Sequence, residues 1–319
     1  MKRYLLLIAG LLTLSTISSA QEEETRLISP DGTYMFAKSD DGELFLDVYS
    51  PSEGSETSID GKAKPTILFM FGGGFIQGQR DDSSYHKWFK MLTDNGFKVI
   101  SIDYRLGLKG SNKVGIAQVN VLDKAIHWAV EDLYSATKYI IKNAGQLGVD
   151  PSNIVISGSS AGAITVMQAE YELCNRTKWA AVLPEGFKYA GVMSFSGAIL
   201  SREGELDYAR MPAPTLMLHG TSDELVNYKQ IKFFNLGFFG GGKLVKRFEK
   251  LGFDYNMYHF VGYGHEIAGS METTFDLQMK FIETNVMKGQ RRIIEAWVDD
   301  PGVYKGFGVQ SRKDLYGKK

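Results

Sequence analysis

Gly158-Ser159-Ser160-Ala161-Gly162 fits the pattern G-x-S-x-G, and its setting bears on whether a serine here does chemistry. Ile154-Val155-Ile156-Ser157 before it is a short apolar run that reads as a buried strand. Ala163 to Met167 after it opens a helical pattern. A serine on such a strand-to-helix turn has its hydroxyl raised above a sheet. The next backbone N–H, that of Ala161, then points from a helix N-terminus toward any negative charge that develops. Ser160 occupies the motif position, and Ser157 and Ser159 do not. The chemistry on offer is nucleophilic acyl transfer, which also needs a base, an acid to orient it and donors for an oxyanion.

The rest of the chain supplies candidates for each. Phe71-Gly72-Gly73-Gly74-Phe75 follows a strand-like run, and glycines let main-chain N–H groups face a substrate oxygen without obstruction. A plain flexible loop is the competing reading of those three glycines. Five histidines are present: His86, His127, His219, His259 and His265. His127 falls within a helical pattern and His259 within a strand, and both read as packing residues. His265, in Gly262-Tyr263-Gly264-His265-Glu266, follows the last apolar run in a glycine-rich loop and is the candidate base. Asp223, in His219-Gly220-Thr221-Ser222-Asp223-Glu224, lies beyond a strand's carboxyl end, where sites of open α/β sheets collect. Glu224 is the rival acid. The chain order Ser160, Asp223, His265 is that of a hydrolase on this architecture.

Those residues need a sheet to present them. Thr66–Phe71, Lys98–Tyr104, Ile154–Ser157, Gly191–Phe195, Thr215–His219 and Asn256–Phe260 are short apolar runs of the kind buried on both faces of a parallel sheet. Between them lie helical patterns over Asp123–Asn143, Ala161–Glu172 and Phe275–Met287. Ahead of them, Thr33–Lys38 and Glu43–Tyr49 read as a hairpin about Ser39-Asp40-Asp41-Gly42. The alternation predicts an α/β fold, a mostly parallel central sheet with helices on both faces. The catalytic domain is expected over residues 21–290, with 291–319 as an extension of unknown role whose end, Trp297 to Lys319, reads as solvated tail.

Lys2 and Arg3 precede an apolar run from Tyr4 to Leu14, and Ser18-Ser19-Ala20 offers the small residues of a cleavage site. Residues 1–20 therefore read as a secretory signal peptide, and the product as periplasmic or secreted. The run is too short for a membrane anchor. The whole chain holds 36 basic and 37 acidic side chains, and loss of Lys2 and Arg3 leaves a net charge of −3. That balance offers no basic excess for nucleic acid. Cys174 is the single cysteine, so no intrachain disulfide is expected. No Cys/His cluster or HExxH suggests a metal, and no cofactor is expected.

With these stretches assembled, the chain resembles the α/β-hydrolase superfamily, specifically its carboxylesterase and hormone-sensitive-lipase-like esterase group. "FGGGF", "SIDYRLG", "LGVDPSNIVISGSSAGA", "LHGTSDELV" and "GYGHEI" carry the likeness, over roughly Leu44 to Met287. The resemblance implies Ser160 as nucleophile, Asp223 as acid and His265 as base, with oxyanion donors on the backbone of Gly73, Gly74 and Ala161. It implies structural roles for Asp103 and Arg105. Many relatives carry His where this chain has Phe71, so here packing is expected to hold the glycine loop. The function expected is an exported serine carboxylesterase acting on short-acyl or compact esters, such as acetyl or feruloyl groups on polysaccharides. A serine peptidase or an acyltransferase on the same fold, and a binding protein on a hydrolase scaffold, are the alternatives. Only Ser196 to Pro214 separates two of the strand runs, which leaves little chain for a large apolar lid. Phe233 to Phe239 reads either as a pocket wall or as core.

Overall fold

The computed structural model describes residues 27–39, 41–110 and 119–300. The expected signal peptide, Asp40 and residues 301–319 lie outside them. Two antiparallel strands open the described chain, β1 (Gly32–Ser39) and β2 (Gly42–Tyr49). β3 (Thr66–Met70), β4 (Val99–Ile102), β5 (Ile154–Ser159), β6 (Gly191–Phe195), β8 (Thr215–Gly220) and β11 (Tyr255–Phe260) then form the parallel body of the sheet. A last strand, β12 (Ile293–Val298), pairs in parallel with β11. Among the described residues the sheet has nine strands, in the order β1-β2-β4-β3-β5-β6-β8-β11-β12.

The apolar runs become strands because the sheet is covered on both faces. Every residue of β3, β4, β5, β6 and β8 is buried, so no alternation of polar and apolar positions is needed. The covering helices are α1 (His86–Asp94), α2 (Val119–Lys142), α3 (Ala161–Cys174), α4 (Gly241–Leu251) and α5 (Phe275–Phe281), which runs on as a π-turn through Met287. α2 buries Ile126, Val130, Leu133, Tyr134, Thr137 and Ile140, most of the face its 3.6-residue period predicts. α3 is sandwiched so closely that nearly all its residues are buried.

Two regions differ from the sequence reading. Residues 293–298 were placed in an extension beyond residue 290, yet they form the edge strand β12 of the central sheet, so the domain runs past that boundary. Its residues alternate between exposed and half-buried, as an edge strand's do, so no continuous apolar run marks it. The stretch between β6 and β8 contains a buried strand, β7 (Ala198–Ser201). It pairs with β10 (Leu236–Gly240), itself paired with β9 (Gln230–Phe233), in a separate three-stranded sheet. The aromatic run is therefore a hairpin: Phe239 is core, while Phe233 and Phe234 at the tip are exposed.

Candidate active site

Ser160 stands between β5 and α3 with φ +50° and ψ −111°, a conformation L-residues rarely adopt. The surroundings hold it there. A Cβ on Gly158 would lie 2.3 Å from the carbonyl of Gly162, and one on Gly162 would lie 2.1 Å from Met70 O. Only glycine at both positions lets the turn close and lets α3 abut the end of β3. Ser160 N–H is anchored to Phe195 O at 2.9 Å. The Ala161 N–H is the first of α3, where no intrahelical acceptor exists.

His265 opens a single 3-10 turn, His265–Gly269, beyond β11, and Asp223 sits in the loop beyond β8. The structure brings the three together. His265 Nε2 is 2.8 Å from Ser160 Oγ, and His265 Nδ1 is 2.8 Å from Asp223 Oδ2. All three side chains are buried, Ser160 the least so at 7% exposed. Asp223 Oδ1 accepts the N–H groups of Leu225 and Val226, each at 2.9 Å. Glu224 is exposed to solvent.

A second histidine reaches the same acid, a contact the sequence reading missed. His219 Nε2 lies 3.3 Å from Asp223 Oδ2 and 2.9 Å from Val226 O. Its Nδ1 accepts the Gly241 N–H at 3.2 Å, which leaves the proton on Nε2, facing the carboxylate and the carbonyl. Burial by itself would raise the Asp223 carboxyl. The hydrogen bonds from His219 and His265 outweigh it and hold the group well below the usual carboxylate range. The spacing of four residues across a turn was the available signal for His219.

The glycine loop follows β3 with left-handed backbone at Gly73 (φ +113°), Gly74 (φ +66°) and Phe75 (φ +61°). A Cβ on Gly73 would meet Gln77 O at 2.0 Å. The loop folds back on itself, with Gly73 O accepting from Ile76 N and Gln77 N. The Phe71 ring is 2% exposed and stacks on Tyr104 at 4.4 Å between centroids. Tyr104 Oη donates to Phe71 O at 3.0 Å. Asp103 and Arg105 are engaged elsewhere. Asp103 accepts from Arg80 and from Phe45 N–H, while Arg105 pairs with Asp132 and Glu131.

The remaining histidines have other partners. His127 bonds Asp123 and Glu172 and stacks on Trp179, and His259 bonds Tyr228 and Glu295. His86 meets Asp81 O.

Known proteins share this arrangement of chain. Residues 46–176 match the family described as BD-FAE, and residues 121–271 match the family described as Phospholipase/Carboxylesterase. Gut esterase 1 of Caenorhabditis briggsae is 32% identical over 107 residues, 34% of this chain and 18% of that protein. Esterase E4 of Myzus persicae is 33% identical over 123 residues, 39% of this chain and 21% of that protein. The matched segments thus span about a fifth of these curated relatives. Structures of esterase 2 from Thermogutta terrifontis with propionate and with butyrate bound share the fold at a TM-score of 0.56 and 20% identity. They cover 81% and 83% of this chain, and 95% and 97% of theirs. The mostly parallel sheet and these structures give the chain the α/β-hydrolase fold, and over residues 46–271 its sequence is similar to esterase families of that fold.

Proposed function

We propose that the protein is a serine esterase in which Ser160 is the nucleophile, His265 the base and Asp223 the acid that orients it. The observation that carries this reading is the continuous pair of 2.8 Å contacts from Ser160 Oγ through the His265 ring to Asp223. As Ser160 Oγ bonds to an ester carbonyl carbon, its proton passes to His265 Nε2 and the carbonyl electron pair moves onto oxygen. Backbone N–H groups of Gly73, Gly74 and Ala161 receive that oxyanion. The C–O bond to the alcohol then breaks, and His265 returns the proton to the leaving oxygen. Water, deprotonated by the same ring, bonds to the acyl carbon; the bond from that carbon to Ser160 Oγ then breaks, His265 returns the proton to Oγ, and the acid leaves. Asp223, held ionised, compensates the imidazolium in both halves.

The substrates proposed are short-acyl or compact esters, acetyl or feruloyl groups on polysaccharides among them. Support comes from the short connection between β6 and β8, which forms a buried strand, and from the propionate and butyrate in the neighbouring esterase structures. Export is proposed on residues 1–20, with the mature chain starting at Gln21.

A fluorophosphonate probe tests the nucleophile. The wild-type protein should be labelled at Ser160, and Ser160→Ala should be inert to the probe and lose several orders of magnitude in kcat on p-nitrophenyl butyrate. Labelling elsewhere, or an active Ser160→Ala, would overturn the assignment.

A further inference from the structure

Gly240-Gly241-Gly242, at the junction of β10 and α4, is a second run of three glycines, away from the loop after β3. It packs on the loop that carries Asp223. A Cβ on Gly240 would lie 1.9 Å from Asn227 O, one on Gly241 3.0 Å from His219 Nδ1, and one on Gly242 2.4 Å from the Tyr228 ring. The glycines thus leave room for Tyr228, whose ring meets that of His219 edge-on at 5.6 Å between centroids.

Tyr228 closes the acid loop. Its N–H donates to Asp223 O at 3.2 Å, and its carbonyl accepts the Gly242 N–H at 2.9 Å. From there a line of side chains leaves the loop. Tyr228 Oη is 2.6 Å from His259 Nδ1 on β11, and His259 Nε2 is 2.9 Å from Glu295 Oε1 on β12. The acceptor on Glu295 fixes the ring proton on Nε2, so Nδ1 accepts and the phenol donates. Burial lowers the His259 imidazole and raises the Tyr228 phenol, which keeps both groups neutral and in these roles. Trp297 stacks on the buried His259 ring at 4.4 Å.

We infer that Tyr228, His259 and Glu295 are positioning residues, which moor the far end of the acid loop to β11 and β12 and so keep Asp223 on the His265 ring. The inference rests on Asp223 being the acid of the proposed triad. The near end of the loop is tied to the strand that leads to the base. Thr221 N–H donates to Phe260 O at 2.9 Å, and Ser222 N–H to Tyr263 O at 2.8 Å. The far end reaches the same strand through the Tyr228–His259 bond. A loop fixed to β11 at both ends holds its carboxylate at one distance from the ring. Displacements of an ångström cost a reaction of this kind up to about 10²-fold.

Glu295 is the cleanest handle, because its side chain is 31% exposed on an edge strand and its loss opens no cavity in the core. Glu295→Ala removes the last acceptor, Glu295→Gln restores an acceptor oxygen without the charge, and Tyr228→Phe removes the hydroxyl but keeps the ring. Tyr228→Phe and Glu295→Ala should each lower kcat on p-nitrophenyl butyrate by about 5- to 50-fold, with KM within about twofold. Glu295→Gln should return to within about threefold of the wild-type kcat. Affinity for an alkyl trifluoromethyl ketone, which forms a tetrahedral adduct at the nucleophile, should fall by the same factor as kcat. The double variant Tyr228→Phe/Glu295→Ala should lose no more than the worse single one, because both act through His259. Wild-type kcat in both folded single variants, independent additive losses, or a Glu295→Gln as impaired as Glu295→Ala would overturn the inference. If Tyr228→Phe does not fold, the two Glu295 variants decide. An active Asp223→Asn instead removes the acid assignment itself, whereas a crippled Asp223→Asn beside unimpaired Tyr228→Phe and Glu295→Ala removes only the mooring.

Discussion

His219 and Asp223, four residues apart across the turn after β8, meet through Nε2 and Oδ2 at 3.3 Å, on the same oxygen that faces the His265 ring. The acid is thus held from two sides by imidazoles and from below by two backbone N–H groups. A carboxylate with that many donors has little freedom to turn away from the base.

Removing one of those partners should show in turnover. His219→Phe is expected to lower kcat by about 10-fold, because Asp223 keeps its charge and its bond to His265 but loses a restraint. Asp223→Asn should cost about 10⁴-fold, since an amide favours the wrong tautomer of the base. The exposed Glu224 should tolerate Gln with kcat near wild type. Steady-state kinetics on one ester checks all three, and a crippled Glu224→Gln beside an active Asp223→Asn would reassign the acid.

Phe71 offers a test of how packing holds the glycine loop proposed to carry the oxyanion donors. Phe71→Leu keeps most of the volume and loses the stack on Tyr104, and Phe71→Ala also opens a cavity worth ~3–5 kcal/mol of stability. Loosening of Gly73 and Gly74 should lower kcat in both, by up to the ~10²–10³ that loss of one oxyanion donor costs. Unchanged kcat in folded Phe71→Leu would show that the ring serves the core alone.

His127 predicts a pH dependence of stability. Burial would lower its imidazole, but hydrogen bonds to Asp123 and Glu172 outweigh burial and push it up to about 9. A group raised on folding stabilises fully below its unfolded value of ~6.5, and that contribution is lost as pH rises through about 9. Stability measured by denaturant unfolding at pH 6, 7.5 and 9.5 should therefore fall with pH, by up to about 3 kcal/mol in all. His127→Gln should flatten that slope, and an identical slope in the variant would exclude the residue as its source.

Acyl preference is checked by comparing kcat/KM for p-nitrophenyl esters of two to four carbons with esters of twelve or more. Shorter chains should turn over faster, because the connection from β6 to β8 is short and forms the buried strand β7 rather than an apolar lid. Faster hydrolysis of the long chains would refute the short-acyl reading.

Much of this architecture is legible in the sequence for a physical reason. Strands buried on both faces must be apolar throughout, and β3, β4, β5, β6 and β8 are written that way. The Ser160 turn is legible because two glycines flank it, and sterics permit nothing larger. Edge and accessory strands are harder. Gln230–Phe233 is mostly exposed and shows no alternation, and Ile293–Val298 buries only one face of a sheet edge. The contacts of His219 and Tyr85 leave still less trace. Tyr85, whose hydroxyl accepts the Gly72 N–H, lies thirteen residues beyond that glycine, in a polar stretch that matches no motif. Its partner is defined only once α1 has packed.

The position of β12 bears on the order in which the molecule can be completed. β11, which leads directly to His265, takes β8 on one side and β12 on the other, yet β12 begins only at Ile293. During synthesis or threading from the N-terminus, the segments bearing Ser160, Asp223 and His265 all emerge before β11 has its outer neighbour. Until residues 293–298 arrive, β11 presents a row of open backbone donors and acceptors, the kind of edge on which a second chain can add. β12 therefore covers the backbone edge of β11, the strand that leads to His265, and moves the open edge of the described sheet one strand farther from the site.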